Sequence, residues 1–164
     1  MNIIIAGFMG TGKTVVGQFL AKKLGWPYVD TDALIVKKEG REINDIFANS
    51  GEDYFRNVET SVIKNVVKKN KHVIAIGGGA IIRDENYNML KSNGKIFCLT
   101  ATPDVIYDRL KQDNSRPLLK VDDPLAKIKH LLEARDPYYK KADYQIDTVG
   151  KSVEEIVLEI EGRL

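Results

Sequence analysis

The run Gly7-Phe8-Met9-Gly10-Thr11-Gly12-Lys13-Thr14 constrains this chain more than any other feature. It matches G-x-x-x-x-G-K-[ST] at every fixed position. An apolar stretch, Ile3 to Ala6, leads into it, and Val15, Val16, Phe19, Leu20 and Leu24 recur at helical spacing after it. A strand, a glycine-rich turn and a helix are therefore expected in that order. Without a Cβ, the glycines let backbone N–H groups converge on an anion. The helix N-terminus adds its partial positive charge.

The chemistry implied is a P-loop holding a nucleoside triphosphate with Mg²⁺. Gly10, Thr11, Gly12, Lys13, Thr14 and Val15 are the expected cradle for its phosphates. Lys13 should reach the β- and γ-phosphates, and Thr14 should ligate Mg²⁺ through its hydroxyl. GTPases, motors and transporters share this pattern. The sequence has no Asn-Lys-x-Asp guanine-reading motif, and 164 residues is short for most motors.

Other apolar runs read as strands: Tyr28-Val29, Val73 to Ile76, Ile96 to Leu99 and Tyr144 to Ile146. Several are continuous rather than alternating, as in a sheet covered on both faces. Helical patterns lie between them, carried by Phe55, Val62, Ile63 and Val66, by Ile128, Leu131 and Leu132, and by Val153, Ile156, Val157 and Ile160. Strand–helix alternation predicts an α/β fold, a parallel sheet of about five strands with helices on both faces. One domain over 1–164 is expected, and a monomer. Residues 112 to 123 lack periodicity and carry Arg116-Pro117; they read as a mobile loop or as an inert surface connection.

The charge of +2 comes from 25 basic residues against 23 acidic ones, scattered along the chain, and gives no nucleic-acid footprint. No apolar run approaches the ~20 residues of a membrane span, and Met1 to Gly7 does not resemble a signal peptide. A cytoplasmic enzyme is expected. Cys98 lies in an apolar run and reads as a small buried hydrophobe. His72, His130 and Trp26 show no ligand-like spacing.

Candidate site residues follow from position and phase. Asp30 and Asp32 come directly after the second strand, at the carboxyl edge where open α/β sheets bind ligands. If the strand continues, the two face one way. One could then serve a metal's water shell and the other an attacking hydroxyl. Alternatively, Asp32 caps a helix starting near Ala33. Glu59 falls on the apolar stripe of Phe55 and Val62, with Arg56 three residues before it. Arg135 continues the stripe of Ile128, Leu131 and Leu132, close to an expected chain break at Pro137. Inward charges need partners or a site, and arginine grips a carboxylate with paired hydrogen bonds. An anionic substrate held by Arg56 and Arg135, with Glu59 orienting Arg56, accounts for all three; a helix-end arginine reaching solvent is the other reading for Arg135. Gly77-Gly78-Gly79 bares backbone at the same sheet edge, for a ligand, another backbone or a tight loop.

The ordered set resembles the shikimate kinase family. Its carriers are the P-loop, Asp30-Thr31-Asp32, Phe55-Arg56-Asn57-Val58-Glu59, the triple glycine, Arg116-Pro117-Leu118-Leu119 and Arg135-Asp136-Pro137-Tyr138-Tyr139. The resemblance implies a nucleoside-monophosphate-kinase-like fold with a lid near 112–123 and phosphoryl transfer from ATP to the 3-hydroxyl of shikimate. It implies Asp32 at the shikimate hydroxyls and Asp30 near Mg²⁺. Arg56, Arg135, Gly78 and Gly79 would hold the substrate. Lys13, Asp32 and Arg116 would be catalytic, with Arg116 facing the phosphates from the lid and Arg109 against adenine. Family members often carry a hydroxyl two residues before the triple glycine; here Ala75 stands there, leaving the metal shell to Asp30 and water. The rival readings are a gluconate or nucleotide kinase, and a non-catalytic nucleotide-binding module.

Overall fold

The computed structural model describes residues 1–112 and 120–164. Five strands form one parallel sheet: β1 Asn2–Gly7, β2 Tyr28–Asp30, β3 Val73–Ala75, β4 Gly94–Thr100 and β5 Tyr144–Asp147. Their spatial order is β2-β3-β1-β4-β5, with every neighbouring pair parallel. The chain therefore leaves β1 toward one side of the sheet and later returns to its other side at β4. The P-loop sits at that reversal, where open α/β sheets take ligands.

The continuous apolar runs are explained by two cores, one on each face. Ile3 and Ile5 of β1, with Phe97 and Leu99 of β4, pack under α1 Lys13–Leu24 and α8 Val153–Glu161. Ile4, Ala6, Ile96 and Cys98 point the other way, toward α4 Glu52–Val66, α5 Asp84–Asn93, α6 Pro103–Leu110 and α7 Pro124–Tyr139. Ile3, Ile4 and Ile5 are completely buried. At about 1.5–3 kcal/mol per buried aliphatic side chain, they anchor the strand that carries the P-loop. Cys98 is part of this core, and burial pushes its thiol up to about 12.

Two further helices, α2 Thr31–Glu39 and α3 Ile43–Ser50, lie between β2 and α4. Neither stands out in the sequence, since each buries little: Thr31 and Ile35 in α2, Ile46 in α3. The early helical stripe also divides differently than its spacing suggests. Val16, Gly17, Leu20 and Ala21 are the buried face of α1, whereas Val15 and Phe19 are exposed. Pro137 does not break the chain. Helix α7 runs through it to Tyr139, ending two residues beyond the proline.

Candidate active site

The P-loop is built as its glycines require. Gly10 and Gly12 have φ of 78° and 95°, values that L side chains rarely adopt. Gly12 is the N-cap of α1 and offers no side-chain cap. The first-turn N–H groups of α1 are thus left to an anion, which is the arrangement a phosphate needs. Thr11 braces the loop from inside: its side chain is buried and its hydroxyl donates to Phe8 O at 2.7 Å. Lys13 Nζ donates to Gly7 O at 2.5 Å and Phe8 O at 3.2 Å, so the ammonium lies across the mouth of the loop. Thr14 and Val15 are exposed on the first turn of α1.

Strand β2 ends two residues earlier than two strand-borne carboxylates would need. Asp30 is the N-cap of α2, and its Oδ1 accepts from Asp32 N at 2.8 Å and Ala33 N at 3.3 Å. The helix begins at Thr31, so Asp30, and not Asp32, is the capping residue. Asp32 lies in the first helical turn and does not share a strand face with Asp30. Both nonetheless line the same cleft of about 1180 Å³, together with Lys13, Thr14, Arg56, Glu59 and Arg135.

The triple glycine organises the far wall of this cleft. None of its members has a positive φ, so backbone freedom is not what requires glycine there. Space is. A methyl on Gly77 would stand 2.7 Å from Asp32 Oδ1 and 3.1 Å from Glu59 Oε2. One on Gly78 would stand 3.1 Å from Arg135 Nη1, and one on Gly79 2.8 Å from Arg56 Nη1. The close approach inferred from the sequence is therefore made by side chains of α2, α4 and α7. Asp32, Arg135 and Arg56 are drawn to three consecutive residues.

Each group is further fixed. Arg56 Nη1 donates to Glu59 Oε1 at 2.8 Å, and Arg56 Nε lies 3.6 Å from Glu52 Oε1. Glu59 is completely buried, and its Oε2 accepts no hydrogen bond among the described residues. Burial pushes its carboxyl above the usual range, and the Arg56 guanidinium opposes that rise. Arg135 packs its guanidinium over the Phe8 ring, 5.3 Å from the centroid. Tyr139 donates from its hydroxyl to Gly78 O at 2.7 Å, and burial raises this phenol to about 12. Phe8 and Tyr139 thus support the far wall of the cleft. Both stand within runs singled out in the sequence, Phe8 in the P-loop and Tyr139 at the end of the Arg135 run, but neither is marked there as a site residue.

Arg109 lies at the opposite end of the P-loop. Its Nη1 donates to Gly10 O at 3.0 Å and to Thr148 Oγ1 at 3.2 Å, tying the loop to the segment after β5. Thr148 is buried and donates in turn to Thr100 O at 2.8 Å. Arg116 and the 113–119 part of the expected lid lie outside the described residues. Among the described residues, no cluster of three or more His, Cys, Asp or Glu could hold a metal by itself. No described helix is long and apolar enough to cross a membrane.

A phosphate cradle at one end of a cleft, with guanidinium groups and a carboxylate at the other, defines a P-loop phosphotransferase for a small anionic acceptor. Comparison with known proteins narrows that class. A family model described as shikimate kinase matches residues 9–164. The shikimate kinase of Thermodesulfovibrio yellowstonii is 52% identical over 159 residues, covering 97% of this chain and 92% of that protein. That of Geobacter metallireducens is 46% identical over 163 residues, covering 99% and 91%. Among solved structures, shikimate kinase from Acinetobacter baumannii in complex with shikimate superposes with a TM-score of 0.94 at 37% identity, covering 99% of this chain and 91% of that one. The chain belongs to the shikimate kinase family.

Proposed function

We propose that this enzyme transfers the γ-phosphoryl group of ATP to the 3-hydroxyl of shikimate, giving shikimate 3-phosphate and ADP. The observation that carries the reading is the convergence of Arg56, Arg135 and Asp32 on Gly79, Gly78 and Gly77, facing the P-loop. Two guanidinium groups held at adjacent residues can grip one carboxylate. A carboxylate beside them can hold an acceptor hydroxyl. A carboxylated polyol is the ligand with both features.

The nucleotide phosphates occupy the cradle from Gly10 to Val15, with Lys13 swung from the Gly7 and Phe8 carbonyls onto phosphate oxygens. Shikimate docks its carboxylate on Arg56 and Arg135, with Gly78 and Gly79 giving close backbone approach. Asp32 accepts a hydrogen bond from the attacking hydroxyl and takes its proton as the P–O bond forms. Glu59 keeps Arg56 in place.

Thr14 and Asp30 fit Mg²⁺: a hydroxyl and a carboxylate at the cradle's edge, with substrate phosphates completing the shell, is how this ion is usually bound. Bound there, the ion would supply positive charge beside the transferring phosphoryl group. Positioning and electrostatics supply most of the rate.

The test is ADP release with MgATP, comparing shikimate, gluconate, nucleoside monophosphates and no acceptor. A shikimate-dependent rate far above the others is expected. Equal or greater rates with gluconate, or hydrolysis indifferent to every acid, would overturn the assignment.

A further inference from the structure

Tyr28 opens β2, two residues before Asp30. Its ring packs against α1 at Gly17, where an added methyl would meet ring carbon Cε2 at 2.7 Å. Thr14 is one helical turn before Gly17, so the ring runs along α1 toward that hydroxyl. Its own hydroxyl is buried and makes no hydrogen bond among the described residues. The groups it faces are the Thr14 hydroxyl and the Asp30 carboxylate, both close enough to interact with it. Ala75, opposite Asp30 in the β2–β3 register, supplies no hydroxyl.

A buried hydroxyl without a partner is costly, and phenylalanine would fill the same space against Gly17 without that cost. Thr14 and Asp30 are also the residues assigned above to Mg²⁺. A threonine that offers a lone pair to a cation must send its O–H elsewhere. The acceptor available is the Tyr28 oxygen, whose own O–H can pass to Asp30.

We infer that Tyr28 is a positioning residue at the cation end of the site, its hydroxyl accepting from Thr14 and donating to Asp30 when the ion is bound. The chain of bonds turns the Thr14 lone pair outward and leaves Asp30 aligned. This rests on the reading of Thr14 and Asp30 as the Mg²⁺ groups.

Tyr28→Phe tests it, because the ring is retained and only the hydroxyl is lost. Three measurements are made: thermal melting of the protein without metal or nucleotide, binding of a non-hydrolysable ATP analogue without metal, and Mn²⁺ uptake with that analogue, followed by the spin resonance of free Mn²⁺. The variant should melt about 2–4 °C higher, since an unsatisfied buried group is gone. Metal-free nucleotide binding should be unchanged, and Mn²⁺ should bind about tenfold more weakly. Equal Mn²⁺ affinity in variant and wild type overturns the inference and leaves the cation reading standing. Weakening of nucleotide binding and melting together, with no separate effect on Mn²⁺, marks Tyr28 as merely structural and overturns it too. If the wild type takes up no Mn²⁺ with the analogue, the assignment of Thr14 and Asp30 itself falls.

Discussion

Replacing Gly79 by alanine isolates the acceptor wall from the rest of the protein. The backbone there has φ −99° and ψ 0°, which alanine adopts without difficulty. Removing a glycine also restricts the unfolded chain, worth about 0.4–1 kcal/mol in favour of the fold. The methyl would meet Arg56, 2.8 Å from Nη1 and 2.9 Å from Cζ. One partner must yield, and a guanidinium at the end of a flexible side chain yields more easily than backbone. The cost of the substitution therefore falls on where Arg56 points. Glu59, completely buried, holds the same Nη1 at 2.8 Å, so the retreat strains or breaks this bond as well.

A hydrogen bond from a charged group to a carboxylate is worth about 1.5–3 kcal/mol. Losing one such bond to shikimate corresponds to a rise in KM of roughly tenfold to a hundredfold. The assay is steady-state ADP release at saturating MgATP with shikimate varied, and then the reverse. KM for shikimate should rise by that factor and KM for ATP should stay within about twofold, because the cradle is untouched. The melting temperature should move by no more than about 2–4 °C. A variant with normal shikimate KM and normal melting would refute the reasoning. It would mean that Arg56 grips no substrate from the position beside Gly79.

Three other perturbations probe the remaining parts. Lys13→Met should lower kcat by about 10²–10³ while the protein stays folded, since it removes a cation from the phosphates, whereas its hydrogen bonds to the Gly7 and Phe8 carbonyls lie within the loop itself; circular dichroism with the kinase assay checks both. Arg109→Ala cuts the link between Gly10 and Thr148 and should raise KM for ATP about fivefold to tenfold at unchanged shikimate KM. Asp143 accepts from Ile96 N at 2.8 Å and pairs with Lys91. Burial alone would raise this carboxyl, but the Ile96 N–H and the Lys91 ammonium outweigh it and hold it below the ordinary value of 3.8. A depressed carboxyl stabilises the fold above its unfolded pKa and loses that contribution as pH falls through the folded one. Asp143→Ala should therefore cost about 1 kcal/mol in melting experiments at pH 7, and the difference from wild type should shrink below pH 4. An unchanged gap at acid pH would rule out the charge as its origin.

The parts of the site that one sequence discloses are those written as a violation of pattern. Glycines at fixed intervals before Gly-Lys-Thr, and Glu59 and Arg135 on apolar stripes, are unexpected against a period, and Gly10, Gly12, Lys13, Thr14, Glu59 and Arg135 all line the cleft. The order of Asp30 and Asp32 was open because a strand of three residues, Tyr28–Asp30, has no internal period to say where it stops. Helix initiation at Thr31 decided it, turning Asp30 into the cap. Tyr28, Tyr139 and Phe8 escaped for the opposite reason: an aromatic at these positions departs from no period, and its hydroxyl or ring face acquires meaning from the groups that the fold brings to it, such as Thr14, Gly78 and Arg135.

Gly77 to Gly79 show the limit most clearly. Their run is conspicuous, yet what fills the space comes from Asp32, Glu59, Arg135 and Arg56, on three different helices. The geometry of the acceptor wall is stored there as missing side chains. A missing side chain states how close a neighbour comes and says nothing of which neighbour it is. That identity is set by the crossovers of a parallel sheet, which bring α2, α4 and α7 to one edge. A row of small residues at a strand's carboxyl end is thus a reason to look for charged residues displaced onto apolar faces elsewhere in the chain. Here those residues are Arg56, Glu59 and Arg135, and all three converge on the row.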